Sequence, residues 1–362
     1  MSAIGKINVL VTAIGGGGHG DQVLKALRLA PAGRYRIFGA DANPQCPQAQ
    51  VVERFVVLPP ASSPNYIDAL LHECKVLRVD VLIHGCEPEL RVFSENRSQI
   101  EGEGIFLPIN PSQLIRDCMD KARTNSMLAA LGFEPPRFRE LNAVDDIDAI
   151  DWFPVVVKPP VGGGGSLNVF IAQDRAELRS LCGFLGLGVH SSRFMVQEYV
   201  GTPESEYTVG VLHDMDGQYL NAISLRRYLV GGLHVRATVP NRTKRHDLGP
   251  RLVVSSGVSH GEIGRHAEIT SQCKGIAAAI GARGPLNIQC RVEAGRVSVF
   301  EINPRFSGTT SIRAMVGYNE PDVLIRRHVL GEKVVADFPY REAVVLRSLS
   351  ESIVAQTCGS AT

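Results

Sequence analysis

The chain has 362 residues, 44% of them hydrophobic and 21% charged, which suits two or three packed lobes and excludes wholesale disorder. A formal net charge of +1 lacks the basic excess needed to grip a nucleic-acid backbone, so any nucleotide partner is a small molecule. There is no secretory pattern at the N-terminus, no apolar run of membrane-spanning length and no C-x-x-C pair among eight scattered cysteines; the expectation is a cytoplasmic chain with reduced, buried thiols and neither nucleic-acid nor membrane partners.

Ile7–Val11 is an apolar β-branched run that predicts a strand, closed by the glycines of residues 15–20, and Gln22–Leu29 has helical spacing. Tyr35–Gly39, Phe55–Leu58 and Val79–His84 predict further strands; Tyr66–Leu77 predicts a helix with Ile67, Leu70, Leu71 and Leu77 on one face. Strand and helix alternate, so residues 1–111 are expected to form a doubly wound parallel α/β sheet. A helix is expected from Ser112, as N-cap, to about Leu131, with Gly132 stopping it. It opens a smaller segment, residues 112–192, in which the strand Val155–Lys158 runs into Pro159-Pro160 and a glycine-rich loop. In residues 193–362, Phe194–Val200, Tyr207–Leu212 and Tyr219–Arg227 predict antiparallel strands, and His260–Ile280 a helix. Leu286–Val292 and Arg296–Ile302 predict a hairpin turned at Glu293-Ala294-Gly295.

Three segments carry chemistry. Gly15, Gly17 and Gly20 make a G-x-G-x-x-G after a strand, with Asp41 ending the next strand; this is the nominal dinucleotide fingerprint and supports a rival reading as an NAD-dependent oxidoreductase. A tight β–α turn needs the same glycines for close backbone approach. In the second segment Lys158 ends an apolar strand, where an ammonium is costly unless it meets an anion. Gly162–Gly165 and Ser166 then expose backbone N–H groups that suit a triphosphate under a mobile flap. The order is not that of a Walker A motif, since the lysine precedes the glycines. In the third segment, Glu301 and Asn303 share a strand face, and Gln289 can oppose them across the hairpin. An acid beside amides offers oxygen ligands to a hard cation such as Mg²⁺, and Arg305 can hold phosphoryl oxygens. Lys121, on its own helix, carries no signal in isolation.

Together these segments resemble the ATP-grasp superfamily, in its carbamoyl-phosphate-synthase-like and carboxylate–amine ligase branch. The resemblance runs in the family's order through Asp120-Lys121, Val157-Lys158, the glycine flap, Val196-Gln197-Glu198-Tyr199-Val200, Glu206-Tyr207-Thr208-Val209 and Glu301-Ile302-Asn303-Pro304-Arg305. It implies a pre-ATP-grasp domain over 1–111, a small lobe with the flap (Gly163, Gly164, Gly165, Ser166) over 112–192, and a lobe with the metal site over 193–362. It also implies roles: Lys121 and Lys158 on ATP phosphates, Gln197, Glu198, Tyr199 and Val200 as the hinge reading the adenine edge, and Glu198 and Glu206 on adenine or ribose hydroxyls. Gln289, Glu301 and Asn303 would carry Mg²⁺, with Mn²⁺ as substitute, and Arg305 would neutralise an acyl-phosphate. The implied reaction joins a carboxylate to an amine, releases ADP and phosphate, and runs in a homodimer. Two departures bear on it. Many relatives have a carboxylate where this sequence has Gln289. Carbamoyl-phosphate synthases carry two such halves and a glutaminase partner, and this sequence shows one half, which argues against that activity.

Substrate contacts are expected from Arg226 and Arg236 near a flexible stretch, from Ser307 and Gly308 at a helix start, and from Glu87 at the carboxyl end of a parallel strand. A non-catalytic binding protein of the same shape is a third reading, weakened by the presence of Lys158, Glu301 and Asn303 together.

Overall fold

The computed structural model describes residues 6–162, 166–187 and 192–351. They form two units: residues through Ile109 with Phe306–Val334 and the segment from Arg347, and Asn110–Arg305 with Val335–Leu346. The sequence predicts one lobe over 193–362, whereas Phe306–Val334 packs in the first unit. There the helix Thr310–Met315 lies against the helix His19–Arg28, Asn319 donates to the Ala26 carbonyl, and Arg34 and Tyr35 bind Asp322.

The first unit is a parallel α/β sheet, as the alternation of strands and helices predicts. Its strands are β1 (Ile7–Val11), β2 (Tyr35–Asp41), β3 (Arg54–Val57) and β4 (Val81–Ile83), in the order β3-β2-β1-β4. Val9, Leu10 and Val11 are fully buried because a central parallel strand is covered on both faces. β2 and β4 flank β1 on opposite sides, so the topological switch point of the sheet lies at the carboxyl ends of β1 and β4. The turn after β1 puts Gly16 and Gly17 at φ +69°, and a Cβ on Gly20 would sit 2.4 Å from the Ala13 carbonyl oxygen. The helix Tyr66–Leu77 forms with its expected bounds.

Among the described residues the second unit contains three antiparallel sheets, one of them a two-stranded hairpin. β5 (Phe138–Leu141), β6 (Val155–Lys158), β7 (Phe170–Ala172) and β8 (Phe194–Glu198) are ordered β5-β8-β6-β7 and packed on the helix Arg175–Phe184. β9 (Glu206–His213) and β10 (Tyr219–Arg227) are followed by a separate hairpin, β11 (Val235–Pro240) and β12 (Arg251–Ser255). Then come β13 (Gly261–Gly264), β14 (Pro285–Glu293), β15 (Arg296–Asn303) and β16 (Ala343–Val345). The larger sheet runs β15-β14-β9-β10-β13-β16. Its alternation is clean: Leu286, Ile288 and Cys290 of β14 pack with the helix Ala267–Ala279, leaving Asn287, Gln289 and Arg291 on the other face.

Two expectations change. The helix expected over 112–131 is two helices, Ser112–Cys118 and Lys121–Ala130. Asp120 is extended between them (φ −111°, ψ 114°), and its carboxylate caps the second helix through Ala122 N and Arg123 N. Pro111, not Ser112, holds the cap position of the first. The helix expected from His260 starts at Ala267, because Ile263 and Gly264 pair with Leu225 and Ser224 of β10 and bury Ile263 completely. Among the described residues no helix is long and apolar enough to cross a membrane.

Candidate functional site

A cleft of about 120 Å³, open to solvent, lies in the second unit. It is lined by Lys121, Lys158, Ser166, Gln197, Glu198, Tyr199, Val200, Glu206, Gln289 and Glu301, and also by Val253–Gly257, Arg291 and Phe300. Its mixed lining of cationic, polar and apolar side chains suits a nucleotide. Lys158 and Ser166 of the second motif and Gln289 and Glu301 of the third therefore meet in one place, while Asn303 and Arg305 do not line the cleft.

Lys158 ends β6 and is 5% exposed. Its ammonium donates to Gln197 Oε1 at 2.7 Å and to the Phe300 carbonyl at 3.2 Å. That carbonyl is available because β15 bulges: the register passes from Gln289↔Glu301 to Cys290↔Val299, and Phe300 has no ladder partner. Burial lowers the Lys158 pKa to about 7; nearby Lys121 pushes the same way and Glu301 opposes it. An anion in the cleft would relieve that cost. Lys121 is the first residue of its helix, and its ammonium donates to the Gly162 carbonyl at 2.7 Å. Ser166 is half-buried at φ +62°, and Gly163, Gly164 and Gly165 lie outside the described residues.

Two carboxylates of the cleft, Glu198 and Glu206, are held by arginines. Glu198 accepts from Arg137 at 2.9 and 3.1 Å and from Arg245 at 3.3 Å, and the Arg137 hydrogen bond holds its pKa below the ordinary range. Glu206 is buried between two arginines: Oε1 accepts from Arg227 at 2.9 Å, and Oε2 from Arg291 at 3.1 and 3.0 Å. Burial opposes its ionisation, but Arg291 and Arg227 outweigh burial and hold the pKa low. Both oxygens of Glu206 are thus engaged by guanidinium groups. Arg291 was missed in the sequence, although its place two residues after Gln289 puts it on the cleft face of β14.

On the hairpin, Gln289 stands opposite Glu301 and Asn287 opposite Asn303. Asn303 is buried and accepts from the Arg305 guanidinium at 3.0 Å. Among the described residues no group of three His, Cys, Asp or Glu could hold a metal by itself. The donor set is one carboxylate, Glu301, with amide oxygens. That fits Mg²⁺ shared with phosphate oxygens and does not fit an all-protein cage.

The expected substrate residues are dispersed. Arg226 stands opposite Tyr207, on the helix-covered face of β10, and pairs with Glu262; its neighbour Arg227 is the one that reaches Glu206. Arg236 is exposed on β11, and neither Arg226 nor Arg236 lines the cleft. Glu87, Ser307 and Gly308 belong to the first unit. Glu87 is half-buried at the first position of its helix, while Glu89 is the buried carboxyl there, accepting from Thr12 (2.6 Å), Tyr66 (2.7 Å) and Gly85 N (3.1 Å). Burial raises its pKa. Ser307 bonds Thr309, and the Gly308 carbonyl accepts from Arg347.

The N-terminal glycine turn does not favour the dinucleotide reading. Asp41, which would meet a ribose, accepts from Gly15 N at 2.7 Å and from Asn43 N at 2.9 Å with its two oxygens. Asp21, buried in the first turn of the helix, adds negative charge where a pyrophosphate would need positive potential.

Residues 190–351 match the family model described as ATP-grasp in the biosynthetic pathway with Ter operon, and residues 10–107 match the PylC-like N-terminal domain. The chain carries an ATP-grasp domain. Similar ATP-grasp proteins include a D-alanine–D-alanine ligase of Bacillus anthracis, 31% identical over 34% of this chain and 40% of its own length. The carbamoyl phosphate synthase large chain of Thermoplasma acidophilum is 24% identical over 62% of this chain and 20% of its own. The chain thus spans two fifths or less of these curated relatives. In fold it is similar to the crystal structure of an L-amino acid ligase from Bacillus licheniformis, with TM-score 0.61 and 18% identity over 90% of this chain and 74% of the other.

Proposed function

We propose that the chain is an ATP-dependent ligase that activates a carboxylate as its acyl-phosphate, joins it to an amine and releases ADP and phosphate. The observation that carries this reading is the meeting of two lysines, Lys121 and Lys158, with Glu301 and Gln289 in one cleft. Attack of a carboxylate on a phosphoryl group brings anion to anion, and fixed cations with a shared metal ion reduce that repulsion. Glu301 with Gln289 and Asn303 would hold Mg²⁺, or Mn²⁺ in its place, which would supply charge neutralisation at the phosphates. Lys121 and Lys158 would bind the phosphates, the backbone of Gln197–Val200 would orient the base, and Arg305 would meet the acyl-phosphate. Gly163–Gly165 would close over the phosphates and exclude water. The partners are small-molecule carboxylates and amines, and the assembly is a homodimer acting in the cytoplasm. The segments 1–111, 112–192 and 193–362 are proposed as its pre-ATP-grasp domain, its small lobe with the flap and its C-terminal lobe with the metal site, Phe306–Val334 of the last packing in the first unit.

Three supports stand beside the cleft: the ATP-grasp match over residues 190–351, the D-alanine–D-alanine ligase as a sequence relative, and the L-amino acid ligase as fold neighbour. The test is an ADP-release screen of the purified protein with MgATP across amino acids and amines, with mass spectrometry of the product. ADP, phosphate and a ligated product are expected; AMP with pyrophosphate would overturn the reading.

A further inference from the structure

A one-directional chain of hydrogen bonds crosses the second unit from Lys158 to the backbone of Lys121. Lys158 Nζ donates to Gln197 Oε1 (2.7 Å), Gln197 Nε2 to Asn125 Oδ1 (2.9 Å), and Asn125 Nδ2 to the Lys121 carbonyl (2.6 Å). Lys158, Gln197 and Asn125 are all buried. The ends dictate the direction. An ammonium only donates and a peptide carbonyl only accepts, so each amide between them has one usable orientation. Turning Gln197 over would set its NH₂ against the ammonium and strand a buried donor pair.

Asn125 does not line the cleft. It is a poor helix former in the interior of the helix Lys121–Ala130, where its NH₂ bonds the carbonyl four residues back. That bond leaves Oδ1 turned to Gln197. Lysine has a long, flexible stem, so the direction of its charge depends on what accepts from it. Here Gln197 Oε1 and the Phe300 carbonyl take two of three donors and leave one for an anion.

We propose that Asn125 is a positioning residue which, by holding Gln197 in one orientation, aims the Lys158 ammonium at a nucleoside triphosphate and sets the affinity for it. This rests on the ATP-dependent reading above. The test compares wild type with Asn125→Ala and Asn125→Asp, by calorimetry with Mg²⁺ and adenosine 5′-(β,γ-imido)triphosphate, and by KM and kcat for ATP. Asp keeps the acceptor for Gln197; Ala does not. Both lose the bond to the Lys121 carbonyl, and Asp also turns a carboxylate oxygen toward it, so a purely structural role predicts that Asp binds no better than Ala. The expected result for Ala is binding weakened on the order of tenfold, carried by KM with kcat changed by less than about threefold, and for Asp recovery to within about threefold of wild type. In a Gln197→Met background, Asn125→Ala should add less than about twofold, because its effect passes through Gln197. If Asn125→Ala does not fold, Asn125→Ser, too short to reach Gln197, takes its place. Equal Ala and Asp affinities, or full additivity with Gln197→Met, overturn the proposal alone. A folded wild type that binds no nucleotide overturns the functional reading and this proposal with it.

Discussion

Lys158→Met tests the electrostatics of the cleft through stability rather than activity. Lys158 has a folded pKa of about 7 against 10.5 when exposed, chiefly because burial disfavours its charge. Between those values the unfolded chain holds the proton and the folded chain does not, so the Lys158 contribution to stability rises with pH across that window. Below pH 7 both states are protonated and the full penalty of burying the ammonium applies. The slope above pH 7 approaches about 1.4 kcal/mol per pH unit, which integrates to roughly 2 kcal/mol between pH 7 and pH 9. Methionine fills a similar volume and does not titrate. Urea unfolding of the ligand-free wild type and variant at pH 7, 8 and 9 should show wild type gaining on the variant by that amount. The variant should also lose nucleotide affinity at every pH. A stability difference constant to within about 0.5 kcal/mol across the series would refute the reasoning, since it would mean that the lysine keeps an ordinary pKa.

Glu206→Ala leaves Arg227 and Arg291 buried without their carboxylate and should cost about 3–5 kcal/mol, read as a fall in Tm; a loss below about 1 kcal/mol would contradict the buried ion-pair assignment. Glu301→Gln should lower ADP release by at least about a hundredfold while leaving urea stability within about 0.5 kcal/mol, because a half-exposed carboxylate matters to the metal more than to the fold. Ala294→Asn should stabilise by about 0.5–1 kcal/mol: Ala294 (φ 48°) and Gly295 (φ 77°) form the two-residue turn between β14 and β15, and asparagine tolerates that left-handed conformation better than alanine.

Much of the fold was legible where one signal dominated. Val155–Lys158 is a continuous β-branched run and forms a strand with those bounds; the turn at Ala294-Gly295 is set by chemistry local to two residues. The pairing of Gln289 with Glu301 was not legible from that turn, because an unbroken register would set Gln289 against Phe300 and the bulge at Phe300 shifts it by one residue. Features that depend on distant partners were not legible. Adjacent arginines on a strand point to opposite faces, and the sequence does not say which face is the cleft; Arg226 was expected there and Arg227 is the one bound to Glu206. The engagement of Glu198 depends on Arg137 and Arg245, 61 and 47 residues away, and that of Glu206 on Arg291, 85 residues away. No local pattern announces such pairs. Asp120 shows the opposite failure: a helix-capping residue was present, but the helical spacing on either side of it masked the break.

The most direct measurement is a crystal of the protein soaked with ADP and Mg²⁺. The account predicts the base along the backbone of Gln197–Val200, phosphate oxygens at Lys121 and Lys158, and the metal ion on Glu301. Nucleotide density at the turn of residues 15–20, with this cleft filled only by water, would contradict it.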